Sequence, residues 1–287
     1  MNILIVSSSA NGDASVSNGL VGRFVESVRE HNRTVNIVTR DVGANPLPHL
    51  TQHTVAAIKG EPATPAELEA RALSDTLVAE LQDADVILIA SPMYNFGMSS
   101  TLKSWFDHVA RAGVTFRYTE NGPEGLLKGK KTIAILSRAG FYSEGPAAVM
   151  DGQEPHLRNL LGFIGLDHVT WIRAEKLAFG PEAAGQAIEE AAAALHACSM
   201  TACSRGVGGS GAASDATCCR ANATANDWPA NHAATDTTEE AQVEIMRTPP
   251  GYKLSKPGAL RTKGKRRQPP AGACRSARPM TRSVRPR

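Results

Sequence analysis

Cysteine is missing from the first 197 residues of this 287-residue chain; all five cysteines stand at 198, 203, 218, 219 and 274. A disulfide scaffold is therefore excluded over that span. No stretch reaches the ~18 consecutive apolar residues of a membrane helix, and the amino terminus lacks the charged, apolar and small-residue succession of a secretion signal. A cytoplasmic protein without a membrane partner is the expectation. Two nucleotide signatures are also absent from the first strand-to-helix connection, residues 7–19: neither Gly-x-Gly-x-x-Gly nor Gly-Lys-Ser/Thr occurs there, which disfavours dinucleotide binding of the usual double-domain kind.

Metal-ligand spacing is equally scarce. The cysteines include no Cys-x-x-Cys, and the adjacent Cys218 and Cys219 suit neither zinc nor a redox pair. His49 and His53 have i, i+4 spacing, but they follow Pro-Leu-Pro in an expected loop with no third ligand, so no metal site is expected. Asp107 and Glu120 read as solvated carboxylates, and no catalytic acid or base is assigned.

Charge and apolar content divide the chain in two. Residues 1–197 carry 16 Lys+Arg against 22 Asp+Glu, whereas residues 198–287 carry 15 against 6. The second piece holds only six residues of the Leu, Ile, Val and Phe types (Val207, Val243, Ile245, Leu254, Leu260 and Val284), too few for ninety residues to bury a core. It reads as a low-hydrophobicity basic tail, either disordered or a non-native extension. The run Lys263 to Arg267 could grip an anionic surface, but nucleic acid is not the expected partner.

Within residues 1–197, five short apolar runs read as buried strands: Ile3 to Val6, Val35 to Val38, Val86 to Ala90, Thr132 to Leu136 and Val169 to Ile172. Helical periods separate them. Val21, Phe24, Val25 and Val28 form one stripe, Leu102, Trp105, Phe106, Val109 and Ala110 another, and Leu157, Leu160, Leu161 and Ile164 a third. Leu73, Leu77 and Leu81 mark a helix opened by Thr64 as cap and Pro65 in its first turn. An Ala- and Glu-rich helix spans Pro181 to Leu195. Strict alternation predicts an α/β fold, a doubly wound five-stranded parallel sheet in the flavodoxin-like order 2-1-3-4-5 with helices on both faces. Ligands then bind beyond the carboxyl ends of strands 1 and 3, which selects the loops after Val6, Ala90 and Leu136.

The first of these loops, residues 7–19, is crowded with hydroxyls and small residues and runs into a helix. A phosphomonoester can be held there by helix-terminal N–H groups and serines without lysine. The competing view is a plain strand-to-helix connection capped by Ser17. The second loop brings Met93, Tyr94, Asn95 and Phe96, with aromatic area beside main-chain amides. The third, Ser137 to Gly140, offers a small-residue approach.

The run Ser-Pro-Met-Tyr-Asn-Phe at 91–96 resembles the flavin-cradling loop of the FMN-dependent NADH azoreductases and quinone reductases. The resemblance extends over residues 1–197, including Arg111 to Leu126 and the Leu-Gly-Phe-Ile-Gly at 161–165. It implies FMN contacts from Ser9, from Ser15, Val16 and Ser17, from Met93, Tyr94, Asn95 and Phe96, and from Ser137, Arg138, Ala139 and Gly140. Ala139 departs from the family's Ser-Arg-Gly-Gly, placing a methyl where the flavin approaches. The resemblance also implies a homodimer with active sites at the interface, Tyr118 in a mobile flap, and Phe163 reaching the partner's flavin. The implied activity is ping-pong hydride transfer from NADH through FMN to quinones and aromatic azo compounds. The alternative of another class is a flavodoxin-like single-electron carrier, or a flavin-binding protein without turnover.

Overall fold

The computed structural model describes residues 1–204, and the expectations for the tail from 205 onward lie outside the described residues. The order is β1 (Asn2–Ser7), α1 (Val16–His31), β2 (Asn36–Asp41), α2 (Val55–Lys59), α3 (Pro65–Asp83), β3 (Val86–Pro92), α4 (Ser100–Val109), β4 (Phe116–Thr119), β5 (Gly122–Gly125), β6 (Lys131–Ser137), α5 (Glu154–Phe163), β7 (Val169–Ala174) and α6 (Pro181–Ser204).

The parallel sheet runs β2-β1-β3-β6-β7, which is the expected order once the separate β4-β5 hairpin is set aside. β3 is buried at all seven positions, as a central strand covered on both faces must be. Period-two alternation sorts β1 between two cores. Leu4 and Val6 face Leu77, Leu81, Trp105, Phe106, Leu157 and Leu161, from α3, α4 and α5. Ile3 and Ile5 face Leu20, Phe24 and Val28 of α1, together with Ala191 and Leu195 of α6.

Local signals fix several boundaries. Thr64 accepts from the Glu67 amide while Glu67 reaches back to the Thr64 amide, a complete capping box with Pro65 in the first turn. At α1 the cap is Ser15, whose Oγ accepts from the Asn18 amide; Ser17 lies within the first turn and is fully buried. The competing view of a connection capped by Ser17 is thus off by two residues, because only a residue with extended backbone, here Ser15 at φ −80° and ψ 122°, can aim its side chain at the free amides.

Two elements exceed their sequence signals. The hairpin at 116–125 was expected only as a flap segment, and it pairs Phe116 with Gly125 through Thr119 with Gly122. α6 continues past Leu195 to Ser204, and Cys198 and Ser199 are 2% and 0% exposed. The boundary expected at 197 therefore falls inside a helix, since small Ala, Cys and Ser side chains let it pack closely on α1 without a hydrophobic stripe of large residues.

Candidate functional site

β1, β3 and β6 all end at one edge of the sheet, and the three loops leaving them are bonded directly to one another. The Ala10 amide donates to the Tyr94 hydroxyl at 3.0 Å, and Ser9 Oγ lies 3.4 Å from the same oxygen. The Met93 amide donates to the Ser137 carbonyl at 2.9 Å, continuing the register that sets Pro92 opposite Ser137. Ser9, Met93 and Ser137, more than forty residues apart in sequence at each step, are neighbours in space.

In the first loop Ser9 is buried and its Oγ accepts from the Asn11 amide at 3.2 Å. Ser15 and Ser17, both buried, share a hydrogen bond of 3.0 Å between their hydroxyls. The amides of Val16 and Ser17 belong to the first turn of α1, where no intrahelical acceptor exists. The positive end of the helix dipole faces the same place. A residue beyond the sequence reading supports this loop from the turn after β2: a Cβ on Gly43 would stand 2.1 Å from the Ser9 carbonyl oxygen. Glycine is required there by a contact between segments, a signal that local sequence does not carry.

The second loop is a tight turn. The Tyr94 amide donates to the Gly97 carbonyl at 2.8 Å and the Gly97 amide returns to Tyr94 at 3.0 Å. Between them Asn95 and Phe96 sit at φ +47° and +70°. Two consecutive left-handed residues without glycine store strain of order 1–3 kcal/mol each, a cost characteristic of ligand-holding segments. Their amides make no hydrogen bond among the described residues. The Phe96 ring is 44% exposed, and its carbonyl accepts from Gly152 at 2.9 Å.

In the third loop the residues do different jobs. Ser137 is tied to Met93, and the amides of Ala139 and Gly140 make no hydrogen bond among the described residues. Arg138 is turned away. Its side chain is fully buried, with Nη2 3.0 Å from Asp151, Nη1 3.0 Å from Glu175 and Nε donating to Gln153 at 2.9 Å, while its amide and carbonyl are engaged with Ala174 and Leu177. Arg138 thus holds the loop to its surroundings and leaves no group for a ligand.

Behind it, Glu154 receives Arg173 through two bonds of 2.8 and 2.6 Å and Arg158 at 2.9 Å. Burial pushes the Glu154 carboxyl up, but the hydrogen bonds and charge of Arg173, with Arg138 and Arg158, outweigh it and hold the group below the usual carboxylate range. Glu175 behaves alike: burial raises it, and Ser143, the Tyr142 amide and Arg138 bring it lower.

Tyr118 and Phe163 meet through Phe116, whose ring centroid lies 5.5 Å from Tyr118 and 4.2 Å from Phe163. Tyr118 is 57% exposed on the hairpin. His49 and His53 are exposed on the segment between β2 and α2, and Asp107 pairs with Lys103 at 2.5 Å on the surface of α4.

This donor set fits FMN. A phosphate needs several hydrogen-bond donors aimed at one point, and the first loop supplies hydroxyls and helix-terminal amides. A flat ring with carbonyl and imino edges needs uncommitted amides beside aromatic area, and Asn95, Phe96, Ala139 and Gly140 have theirs open next to Tyr94 and Phe96.

Comparison with known proteins agrees with this geometry. The profile described as "Flavodoxin-like fold" matches residues 1–198. A protein of Hyphomonas neptunium named FMN-dependent NADH:quinone oxidoreductase is 55% identical over 187 residues, 65% of this chain and 90% of that one. One of the same name from Escherichia coli K12 is 50% identical over 195 residues, 67% of this chain and 96% of its own. Among solved structures, an azoreductase of Bacillus anthracis str. Sterne superposes with a TM-score of 0.65 at 26% identity, covering 70% of this chain and 99% of that one. A sheet in flavodoxin order, three loops gathered at its switch point and half of the aligned residues shared with the two named oxidoreductases lead to one assignment: the chain belongs to the flavodoxin-like family, and within it groups with the FMN-dependent NADH:quinone oxidoreductases.

Proposed function

We propose that this protein is an FMN-dependent NADH:quinone oxidoreductase and azoreductase. The observation that carries the reading is the direct bonding of three strand-end loops, through Ala10 to Tyr94 and Met93 to Ser137, into one seat of open amides and hydroxyls. When bound, FMN accepts two electrons as hydride from NADH and passes them to a quinone or, over two cycles, to an aromatic azo compound.

The residues of the chain bind and orient. Ser9, Ser15, Val16 and Ser17 hold the phosphate end; the Met93 to Phe96 turn and the amides of Ala139 and Gly140 hold the ring; Ser137 fixes the spacing between those two loops. No side chain is assigned as acid or base, because hydride transfer between stacked rings depends on alignment and exclusion of water more than on a proton donor. Tyr118, Phe116 and Phe163 form an aromatic wall suited to a flat acceptor.

The same reading includes a homodimer in the cytoplasm, where NADH is available. Exposed apolar side chains support the pairing: Phe96, Tyr118, Val149, Met150 and Phe179 are 44%, 57%, 91%, 46% and 63% exposed. Light scattering of the purified protein should give twice the chain mass. Residues 1–204 act as the reductase body in this proposal, with the remainder as an appendage to it.

The decisive measurement is NADH oxidation by protein reconstituted with FMN. Loss of quinone and azo-dye absorbance should require both NADH and FMN. Protein that takes up FMN, as its visible spectrum would report, yet leaves both acceptors unchanged would overturn the reading.

A further inference from the structure

Three arginines and three carboxylates meet behind the third loop, and one of the carboxylates is wired differently from the others. Asp151 and Glu154 pair with Arg138, Arg158 and Arg173. Glu175, directly after β7, spends one contact on Arg138 Nη1 at 3.0 Å and the rest on the loop itself. Its Oε1 accepts from the amides of Tyr142 and Ser143 at 2.9 and 3.1 Å, and its Oε2 accepts from the Ser143 hydroxyl. All of these donors lie between residues 138 and 143.

The clamp has a target. The Tyr142 ring stands edge-on to the Phe96 ring, centroids 6.1 Å apart at 82°, which joins the third loop to the second. The same ring lies over Gly140, where an added Cβ would stand 2.9 Å from it. Fixing the main chain at 142 and 143 therefore fixes the ring that closes over Gly140 and limits how far the Ala139 and Gly140 amides can turn. A buried carboxylate is a poor device for stability alone, because its desolvation cost consumes much of what its partners return. Aimed at one short loop, it is well suited to holding a shape.

We propose that Glu175 is a positioning residue for the flavin: its carboxylate, through the amides of Tyr142 and Ser143 and the Ser143 hydroxyl, presets the third loop so that FMN meets it already shaped. This rests on the FMN reading above. A loop that must be ordered at the moment of binding costs affinity, and a loop held beforehand does not.

The test compares the full-length wild type with Glu175→Gln and Ser143→Ala. Gln keeps the size and one acceptor oxygen but loses the charge that makes these bonds strong. FMN affinity is read by quenching of flavin fluorescence, folding by circular dichroism, and loop order by hydrogen exchange at the Tyr142 and Ser143 amides in apo-protein. Expected for Glu175→Gln is FMN binding about tenfold weaker, equal to about 1.4 kcal/mol, with faster exchange at those two amides. Ser143→Ala, which removes one hydroxyl contact and folds more securely, should weaken FMN by about threefold. A role confined to stability would lower the melting temperature and leave the affinity of the folded protein as it was. Wild type that binds FMN while both variants bind it within twofold overturns this proposal alone; should Glu175→Gln fail to fold, unchanged affinity in Ser143→Ala overturns it. Wild type that takes up no FMN overturns the reductase reading and this proposal together.

Discussion

Single residues in this protein carry contacts whose cost can be stated. Lys176 sits at φ +62°, the left-handed region that costs a side-chain-bearing residue about 1–2 kcal/mol. Its Nζ lies 4.3 Å from the Phe141 ring centroid, a contact that returns roughly 0.5–1 kcal/mol. Strain exceeds the return, but glycine's greater freedom in the unfolded chain, about 0.5–1 kcal/mol, offsets the difference, so Lys176→Gly should change stability by less than about 0.5 kcal/mol in urea denaturation. Gly43 is the opposite case. Gly43→Ala drives a methyl into the Ser9 main chain, and an expected loss of roughly 2–4 kcal/mol should accompany weakened FMN binding, because the displaced carbonyl belongs to the first loop. Ala139→Gly removes one exposed methyl from the third loop; relieving that crowding where the flavin approaches, a gain of about 1 kcal/mol, should tighten FMN binding by about fivefold in fluorescence titration.

These residues also show what a sequence can disclose. Serines 9, 15 and 17 are visible in it because hydroxyls clustered between a strand and a helix have few other uses. Gly43 is not, since the atom that excludes its side chain lies thirty-four positions earlier. Arg138 reads as a ligand contact from its place in a loop motif, yet its side chain points into acids contributed by Asp151, Glu154 and Glu175, partners that only the fold assembles.

Elements follow the same division. The α3 start was readable because Thr64, Pro65 and Glu67 complete a capping box within four residues. Thr64→Ala should cost about 1 kcal/mol, seen as a drop of roughly 3 °C in melting temperature. Strands of the main sheet were legible because parallel strands buried on both faces need unbroken apolar runs. β2 fit less well, starting at Asn36 and extending to Asp41, since an edge strand exposes polar side chains. The β4–β5 hairpin escaped because four-residue strands rich in Gly, Pro, Arg and Glu carry no apolar alternation beyond Phe116 and Tyr118. The end of α6 escaped for a related reason: helices built on alanine and cysteine bury a face without advertising it.

At the scale of the whole molecule, the arginine–carboxylate cluster ties β6, β7 and α5 into one acid-sensitive unit. Glu154 and Glu175 are held below the ordinary carboxylate range in the folded protein. A depressed folded-state value means that the cluster's contribution is fully present above the unfolded value of about 4.3 and is lost as pH falls through the lower folded-state values. Urea midpoints should therefore hold between pH 7 and 5 and drop below about pH 4. Glu154→Gln, which removes the charge that Arg173 and Arg158 bind at 2.6–2.9 Å, should be less stable at pH 7 and flatter in its acid dependence. Shortening the chain after Ser204 should leave melting and FMN binding unchanged. Ending it after Ala197 should lower the melting temperature, because Cys198 and Ser199 are buried and Ser199 Oγ lies 2.6 Å from Ser27 Oγ.

The anchoring of α6 has a practical corollary. Lys131, the first residue of β6, donates to the Cys198 carbonyl at 3.0 Å, so the final helix is fastened at the sheet edge where strands begin. Cargo joined just past Ser204 would start from the pole opposite the flavin seat. An electrode tether or reporter fused at that point should leave the flavin seat open to dyes and quinones diffusing in from solution.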